Sequence, residues 1–283
     1  MTHNPETAKI AQCDHSEGSW QRIERADAHR KTLAETWNSF IDDYPYSFSV
    51  RMEHDGTGRI WVRPNYPALP AIFSLELGEL LYQLRAALDG CVYDAAILET
   101  RQNPPPDEQD LAFPICSSPE SFDNAARNIA PLPNDLRDFI KSVQPYNTPK
   151  LEPELMAFNF NRTFGILHDW ARKDRHRRLH VIGSWGFNAN PKVRFPKGCS
   201  LAYMTVIGSG FLENEGHIAT FKIDGYTHGM NVQANPDIAI DIAVNEIPPP
   251  CADNDTLGNR LLAMSVATQS IIGTFKKRFG LGK

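Results

Sequence analysis

The chain has 283 residues, 41% of them hydrophobic and 22% charged, with a formal net charge of −5 and a pI near 6.0. That size allows one large hydrophobic core or two modest ones, and the acidic balance excludes a globally basic nucleic-acid coat, so phosphate binding would have to come from local clusters. No stretch approaches the roughly 18 apolar residues of a membrane span, and Met1 to Ile10 lacks the apolar segment of a signal peptide, so a cytoplasmic protein with no membrane partner is expected.

The five cysteines at 13, 91, 116, 199 and 251 are odd in number, scattered and never in a Cys-x-x-Cys pair, as expected of reduced thiols. In that compartment the sequons at Asn161 and Asn254 have no meaning as glycosylation sites.

Residues 1 to 18 are polar and aperiodic, which predicts a flexible tail. Trp20 to Tyr44 has helical composition and stops against Pro45. Phe48, Val50 and Met52 then alternate with serines and an arginine, and His54-Asp-Gly-Thr-Gly58 supplies turn chemistry before Arg59 to Arg63. A β-hairpin over 46–63 follows.

From Ser74 to Gln102 the positions Leu77, Leu80, Leu81, Leu84, Leu88, Cys91, Ala95 and Leu98 recur at spacings of three and four, the mark of a helix with a buried stripe. Pro104-Pro-Pro106 ends it. A loop carries Phe113-Pro-Ile115, and Ser118-Pro119 reads as an N-cap with proline at the first helical position, opening short helices near 119–129 and 134–143. Pro153 is expected to open another long helix, with Met156, Phe160, Phe164, Leu167 and Ala171 as its buried stripe. Its end is rich in arginine and lysine, which suits the partial negative charge of a helix C-terminus.

The composition changes after residue 184, where Ser200 to Ile207, His217 to Asp224 and Asp237 to Val244 are strand-like and predict an antiparallel sheet. Asn254 or Asp255 can cap a last helix from Thr256 to Phe279. The expected organisation is α+β: a tail over 1–18, a helical domain over 19–183 that includes the hairpin, an antiparallel β region over 184–250, and a C-terminal helix over 251–283 packing on the rest.

Two segments concentrate the chemistry. At about 100° per residue, Arg85 and Asp89 fall at the edge of the first long helix's apolar face with Tyr82 beside them. On the second helix Asp174 and Arg178 continue the apolar stripe, while Arg172, Arg175, His176, Arg177 and His180 crowd its end. Two readings stay open. In one, Arg85 pairs with Asp89 at i,i+4 or with Asp174 across the bundle, and the network is structural. In the other, Arg172, Arg175 and Arg177 bind phosphate, Arg85, Asp89, His176 and His180 form the catalytic set, one histidine moving the proton, and Tyr82 and Asp174 orient the others.

His176 and His180 stand at a spacing that lets two imidazoles share a metal, with Asp174 or His168 as a third ligand, but the glutamate of a metalloprotease is missing and no metal or other cofactor is expected. No phosphate-loop lysine follows Gly208-Ser-Gly210, and no Gly-x-Ser-x-Gly elbow occurs.

The helix Leu84-Arg85-Ala-Ala-Leu88-Asp89, the loops Phe113-Pro-Ile115 and Gln144-Pro-Tyr146, and Asp174-Arg-His-Arg177 resemble, over residues 73–180, a widespread bacterial family. That family carries a Leu-Arg-x-Ala-Leu-Asp-His helix and a later Asp-Lys-His-Arg. Its first motif is in turn similar to the Arg-x4-His signature of HEPN ribonucleases, helical-bundle enzymes of toxin and phage-defence systems. The resemblance implies a metal-independent ribonuclease or RNA-binding protein with RNA as partner. This chain departs from it at Gly90, where the family pattern has histidine. The competing expectation is a non-catalytic interaction protein, with a protein partner or a homodimer and a buried Arg/Asp/His ion-pair network.

Overall fold

The computed structural model describes residues 17–149, 159–177, 179, 181–185, 190–208, 210–235, 237, 240–245 and 256–280. The fold is α+β, as the sequence predicts. Its helices are α1 (Glu17–Asp42), α2 (Ala71–Thr100), α3 (Pro119–Asn124), α4 (Asn134–Ser142), α5 (Phe160–His176) and α6 (Leu257–Arg278). The strands are β1 (Tyr46–Met52), β2 (Thr57–Pro64), β3 (Val181–Trp185), β4 (Lys192–Arg194), β5 (Ser200–Val206), β6 (Gly210–Leu212), β7 (Gly216–Asp224), β8 (Gln233–Asn235) and β9 (Ile240–Val244). No helix among the described residues is long and apolar enough to cross a membrane.

Contacts divide the chain into two compact units, one of residues 1–33, 75–179 and 258–283, the other of 34–74 and 180–257. The first is helical. Its centre is α2, which is buried around more of its circumference than a single stripe requires: Leu77, Leu80, Leu81, Leu84, Leu88 and Val92 have no exposure, and Ala87, Ala96 and Ile97 join them. A helix apolar on most sides is one surrounded by others. Ile23 and Ala26 of α1, Phe164, Leu167 and Trp170 of α5, and Leu261, Met264 and Ile271 of α6 complete this core.

The helix boundaries follow local hydrogen-bond chemistry. Ser118 caps α3 by accepting the Ser121 N–H while Ser121 Oγ and the Ser118 backbone N–H pair in return, with Pro119 at the first helical position as predicted. Helix α5 begins at Phe160 because the Asn159 side chain accepts the Arg162 N–H. Pro153 and Met156, expected in its first turns, lie outside the described residues, and Phe160, expected in the buried stripe, is 41% exposed.

Among the described residues the second unit holds three antiparallel sheets, of order β1-β2-β7-β5, β6-β3-β9 and β4-β8. The hairpin therefore belongs to this unit and not to the helical domain where it was expected. The reason is pairing: an isolated hairpin is marginal, and β2 gives its free edge to β7 from Thr57↔Lys222 to Val62↔Gly216 with an irregularity between Ile60 and Trp61. Ile60, Val62, Ile218, Ala219 and Phe221 become fully buried in consequence. At the hairpin turn Gly56 has φ +86°, and a Cβ there would lie 2.5 Å from the Ile223 carbonyl oxygen, so only glycine fits. Asn254 and Asp255, the expected cap of α6, lie outside the described residues, as do Cys13 and Cys251; Cys91, Cys116 and Cys199 are free thiols.

Candidate functional site

Within the helical unit α5 runs opposite to α2, an order given by one close contact and one electrostatic interaction. In the first, Gly78 meets Asp174, where a Cβ on residue 78 would lie 2.5 Å from Asp174 Oδ2. In the second, Arg85 lies close enough to His168 to act on its titration. Gly78 and Arg85 are separated by roughly 10.5 Å along their helix, and Asp174 and His168 by roughly 9 Å along theirs, so the two pairs match in antiparallel order.

Arg85 is held from two sides. Its Nη2 donates to Asp89 Oδ1 at 3.0 Å and to the Phe113 carbonyl at 3.1 Å, while the Phe113 N–H donates to the same Asp89 Oδ1 at 2.9 Å. The peptide at Phe113 is thereby clamped by an i,i+4 ion pair, which is the Arg85–Asp89 pairing foreseen from sequence. The far end of this loop is pinned by Gln144, whose Nε2 donates to the Pro114 and Ile140 carbonyls and whose Oε1 accepts the Cys116 N–H. Asn161 of α5 donates in turn to the Ser142 and Gln144 carbonyls. The loops 113–116 and 144–146 and the helices α2 and α5 form one hydrogen-bonded frame.

One side of that frame is left open in its bonding. Arg85 Nη1 is buried without a partner, and so is His168 Nδ1. The Arg85 side chain is only 16% exposed. Burial and then the charge of Arg175 weaken its hold on the proton, against the pull of Asp89 in the other direction. His168 falls below its ordinary value of 6.5, first through burial and then through Arg85, with Arg172 and Arg175 adding to the effect and Asp169 opposing it. The imidazole is neutral at pH 7 for that reason. His168, Arg172 and Arg175 lie within about 60° of one another around α5. Arg172 is exposed and loosely paired to Asp169 at 3.9 Å, and Arg175 is exposed with no ion pair among the described residues.

The assembled cluster is Arg85, Asp89, His168, Arg172 and Arg175, which overlaps the expected set without coinciding with it. Asp174 does not reach Arg85; its carboxylate sits over Gly78, accepts the Leu179 N–H, and is pushed up in pKa by burial, with Glu79 adding to the rise. His176 ends α5, exposed, about 40° around the helix from Arg172 and about 100° from Arg175, and among the described residues it makes no hydrogen bond or ion pair to the cluster. Tyr82 is 55% exposed and hydrogen-bonds to none of these groups. Arg177 leaves the helix in an extended conformation, its N–H on the Lys173 carbonyl, and its side chain is exposed. His180 lies outside the described residues.

The histidine in place is thus His168, one and two turns before Arg172 and Arg175. The i, i+4, i+7 spacing of these three residues was the signal for it, obscured by the denser run of charge further along. Gly90 has a separate explanation: it lies about 140° from Arg85 around α2 and faces α1, where a Cβ would be 3.2 Å from Ser19 Oγ. The position is a packing contact between helices.

Among the described residues no group of three His, Cys, Asp or Glu side chains is placed to hold a metal ion. Chemically the cluster offers surplus positive charge, a neutral imidazole and unsatisfied N–H groups, a combination suited to an oxyanion. No protein-family model matches the chain, and no curated protein or solved structure shows a significant match to it.

Proposed function

We propose that the chain acts on RNA, as a HEPN-like RNA-binding or RNA-cleaving protein of a bacterial toxin or defence system, with the α2/α5 cluster as its phosphate-handling surface. The charge imbalance there carries the reading: among the described residues, Arg85, Arg172 and Arg175 are paired with only the carboxylates of Asp89 and Asp169. Excess guanidinium on a protein of net negative charge is a local attractor for phosphate. In cleavage, the ribose 2′-hydroxyl would attack phosphorus and lose its proton to neutral His168, the arginines would neutralise charge building on the phosphorus oxygens, and the bond to the 5′-oxygen would break with that oxygen taking a proton from water. The scheme needs no metal, since the arginines supply the positive charge.

The test is retention and cleavage of labelled transfer RNA and total RNA at low salt in the presence of a chelator. Binding or cleavage is expected, and it should weaken in Arg172→Gln and Arg175→Gln. Protein that neither retains nor cuts RNA ends the proposal. A second reading has its own observation, the Arg85–Asp89–Phe113 clamp, which is complete as a structural device. Under it the chain is a non-catalytic interaction protein, and the arginine variants leave every RNA measurement unchanged.

A further inference from the structure

Buried donors without partners are rare in folded proteins, because each forfeits its bond to water and gains nothing in return. Two of the buried atoms without partners, Arg85 Nη1 and His168 Nδ1, stand on helices that face each other, and His168 feels the Arg85 charge directly. Chance burial of one such atom is unremarkable. Two on facing helices, electrostatically coupled and near a guanidinium with no ion pair among the described residues, have a common cause if something absent from the protein itself completes them.

With the imidazole proton on Nδ1, that something is an acceptor. Arginine offers only N–H groups, and a neutral imidazole can present Nδ1 as its N–H, so both atoms can donate. It has to be anionic, because Arg85, Arg172 and Arg175 all contribute positive charge at His168 and Asp89 is already engaged by Arg85 and the Phe113 N–H. It also has to present several oxygens, since donors arrive from α2 on one side and from α5 on the other. A tetrahedral phosphate group meets these conditions, and a planar carboxylate supplies too few acceptors for three guanidinium groups.

We propose that Arg85 Nη1, His168 Nδ1 and Arg175 form a subsite for a single phosphate group, with Arg172 at its outer edge. The subsite stands on its own geometry and rests on the RNA-directed reading only for the molecule that carries the phosphate. An internal phosphodiester of RNA and a phosphomonoester, whether free phosphate or a 5′-phosphorylated end, share the chemistry.

The experiment titrates wild-type protein with inorganic phosphate against chloride at matched ionic strength, following calorimetry and the His168 imidazole signals by NMR. Phosphate is expected to bind, to raise the melting temperature above the chloride control, and to move the His168 midpoint upward. His168→Gln and Arg175→Gln should each weaken binding about tenfold while melting normally without ligand. Arg85→Lys, which keeps the charge but loses the fork, serves as the third variant. A phosphate response equal to chloride, or an unchanged affinity in both His168→Gln and Arg175→Gln, overturns the subsite.

Two single-stranded RNA oligonucleotides of one sequence, with a 5′-phosphate or a 5′-hydroxyl, then separate the sources. Tighter binding of the phosphorylated form assigns the subsite to a phosphomonoester. Equal binding, displaced by inorganic phosphate, assigns it to phosphodiesters. Phosphate bound but RNA ignored defeats the RNA reading and leaves the subsite standing. RNA bound equally by wild type and His168→Gln, with no competition from phosphate, defeats the subsite and leaves the RNA reading.

Discussion

The sheet unit and the helical unit both gather cations, and they treat them differently. On the four-stranded sheet and its turns three cations have carboxylates of their own: Arg51 with Glu215, Arg59 with Glu53, and Lys222 with Asp55 at 2.9 Å. Arg51 also lies over the Trp61 ring at 4.8 Å, and His217 stacks on the same indole at 4.9 Å. These three charges are spent within the protein. In the α2/α5 cluster Arg85, Arg172, Arg175 and the half-buried His168 meet, among the described residues, the carboxylates of Asp89 and Asp169, and Arg85 Nη1 and His168 Nδ1 stay unbonded. Paired cations on an exposed sheet are surface structure worth little individually, whereas a buried guanidinium with one unbonded nitrogen, as at Arg85, marks a candidate functional site.

That contrast is most sharply tested at Arg85, the residue that both readings of the cluster claim. Removing it strips the Phe113 carbonyl and Asp89 of a partner and leaves a void. Because the Asp89 side chain is 39% exposed and can rehydrate, Arg85→Ala is expected near the low end for a broken buried pair, about 3 kcal/mol by urea unfolding. A loss within about 0.5 kcal/mol would show that the clamp is idle and that the guanidinium serves the ligand alone.

The Gly78 crossing comes next. An alanine Cβ would collide with all three atoms of the Asp174 carboxylate group, at 2.5 to 2.9 Å. Gly78→Ala should cost about 2 kcal/mol, as overpacking does. The same change in an Asp174→Ala background should cost much less, since the obstructing group is gone. Equal penalties in both backgrounds would refute the contact as the determinant of how α5 lies on α2.

These two positions show how much of the molecule was legible beforehand. The stripe from Leu77 to Leu88 located α2 because its spacing is a property of the chain alone, and the Ser118-Pro119 cap located α3 for the same reason. The Arg85–Asp89 pair was legible because i,i+4 partners share one helix face. What escaped depended on which helix faces which. Asp174 lies near the apolar stripe of α5, and nothing in the sequence says that it meets Gly78 and not Arg85. The hairpin was placed with the helices because its neighbours in sequence are helical, although its pairing partner β7 begins more than 150 residues later. His168 was passed over in favour of His176 and His180 because density of charge is visible in sequence and burial is not.

Binding measurements extend the comparison between units to smaller effects. Arg175→Gln should reduce the slope of log affinity for RNA against log salt by about 1, with stability unchanged within about 0.5 kcal/mol. Glu215→Gln in the sheet unit, which frees Arg51 from its carboxylate, should leave both affinity and stability nearly unaltered. A larger salt-slope change from the sheet variant than from the helical one would reverse the assignment of the phosphate surface.

The smallest effect is a pH dependence confined to His168. Its folded pKa lies below 6.5 through burial and the nearby guanidinium groups, so in the window beneath about 6.5 the unfolded chain binds more protons than the folded one. Stability from this group is therefore complete above that window and lost as the pH falls through the folded pKa. Asp174 and Asp241, both raised by burial, act in the opposite sense: their contribution is present at low pH and lost as the pH rises through their folded pKa values. Both aspartates remain in His168→Gln, so the difference between wild type and that variant isolates the histidine. Urea unfolding followed from about pH 8 to about pH 5 should give a difference that is flat at first and then turns against the wild type. Inorganic phosphate should flatten the curve, because an anion beside the ring restores its affinity for the proton and removes the penalty. A curve that phosphate leaves untouched would place the neutral imidazole in the core of the protein and not at a ligand.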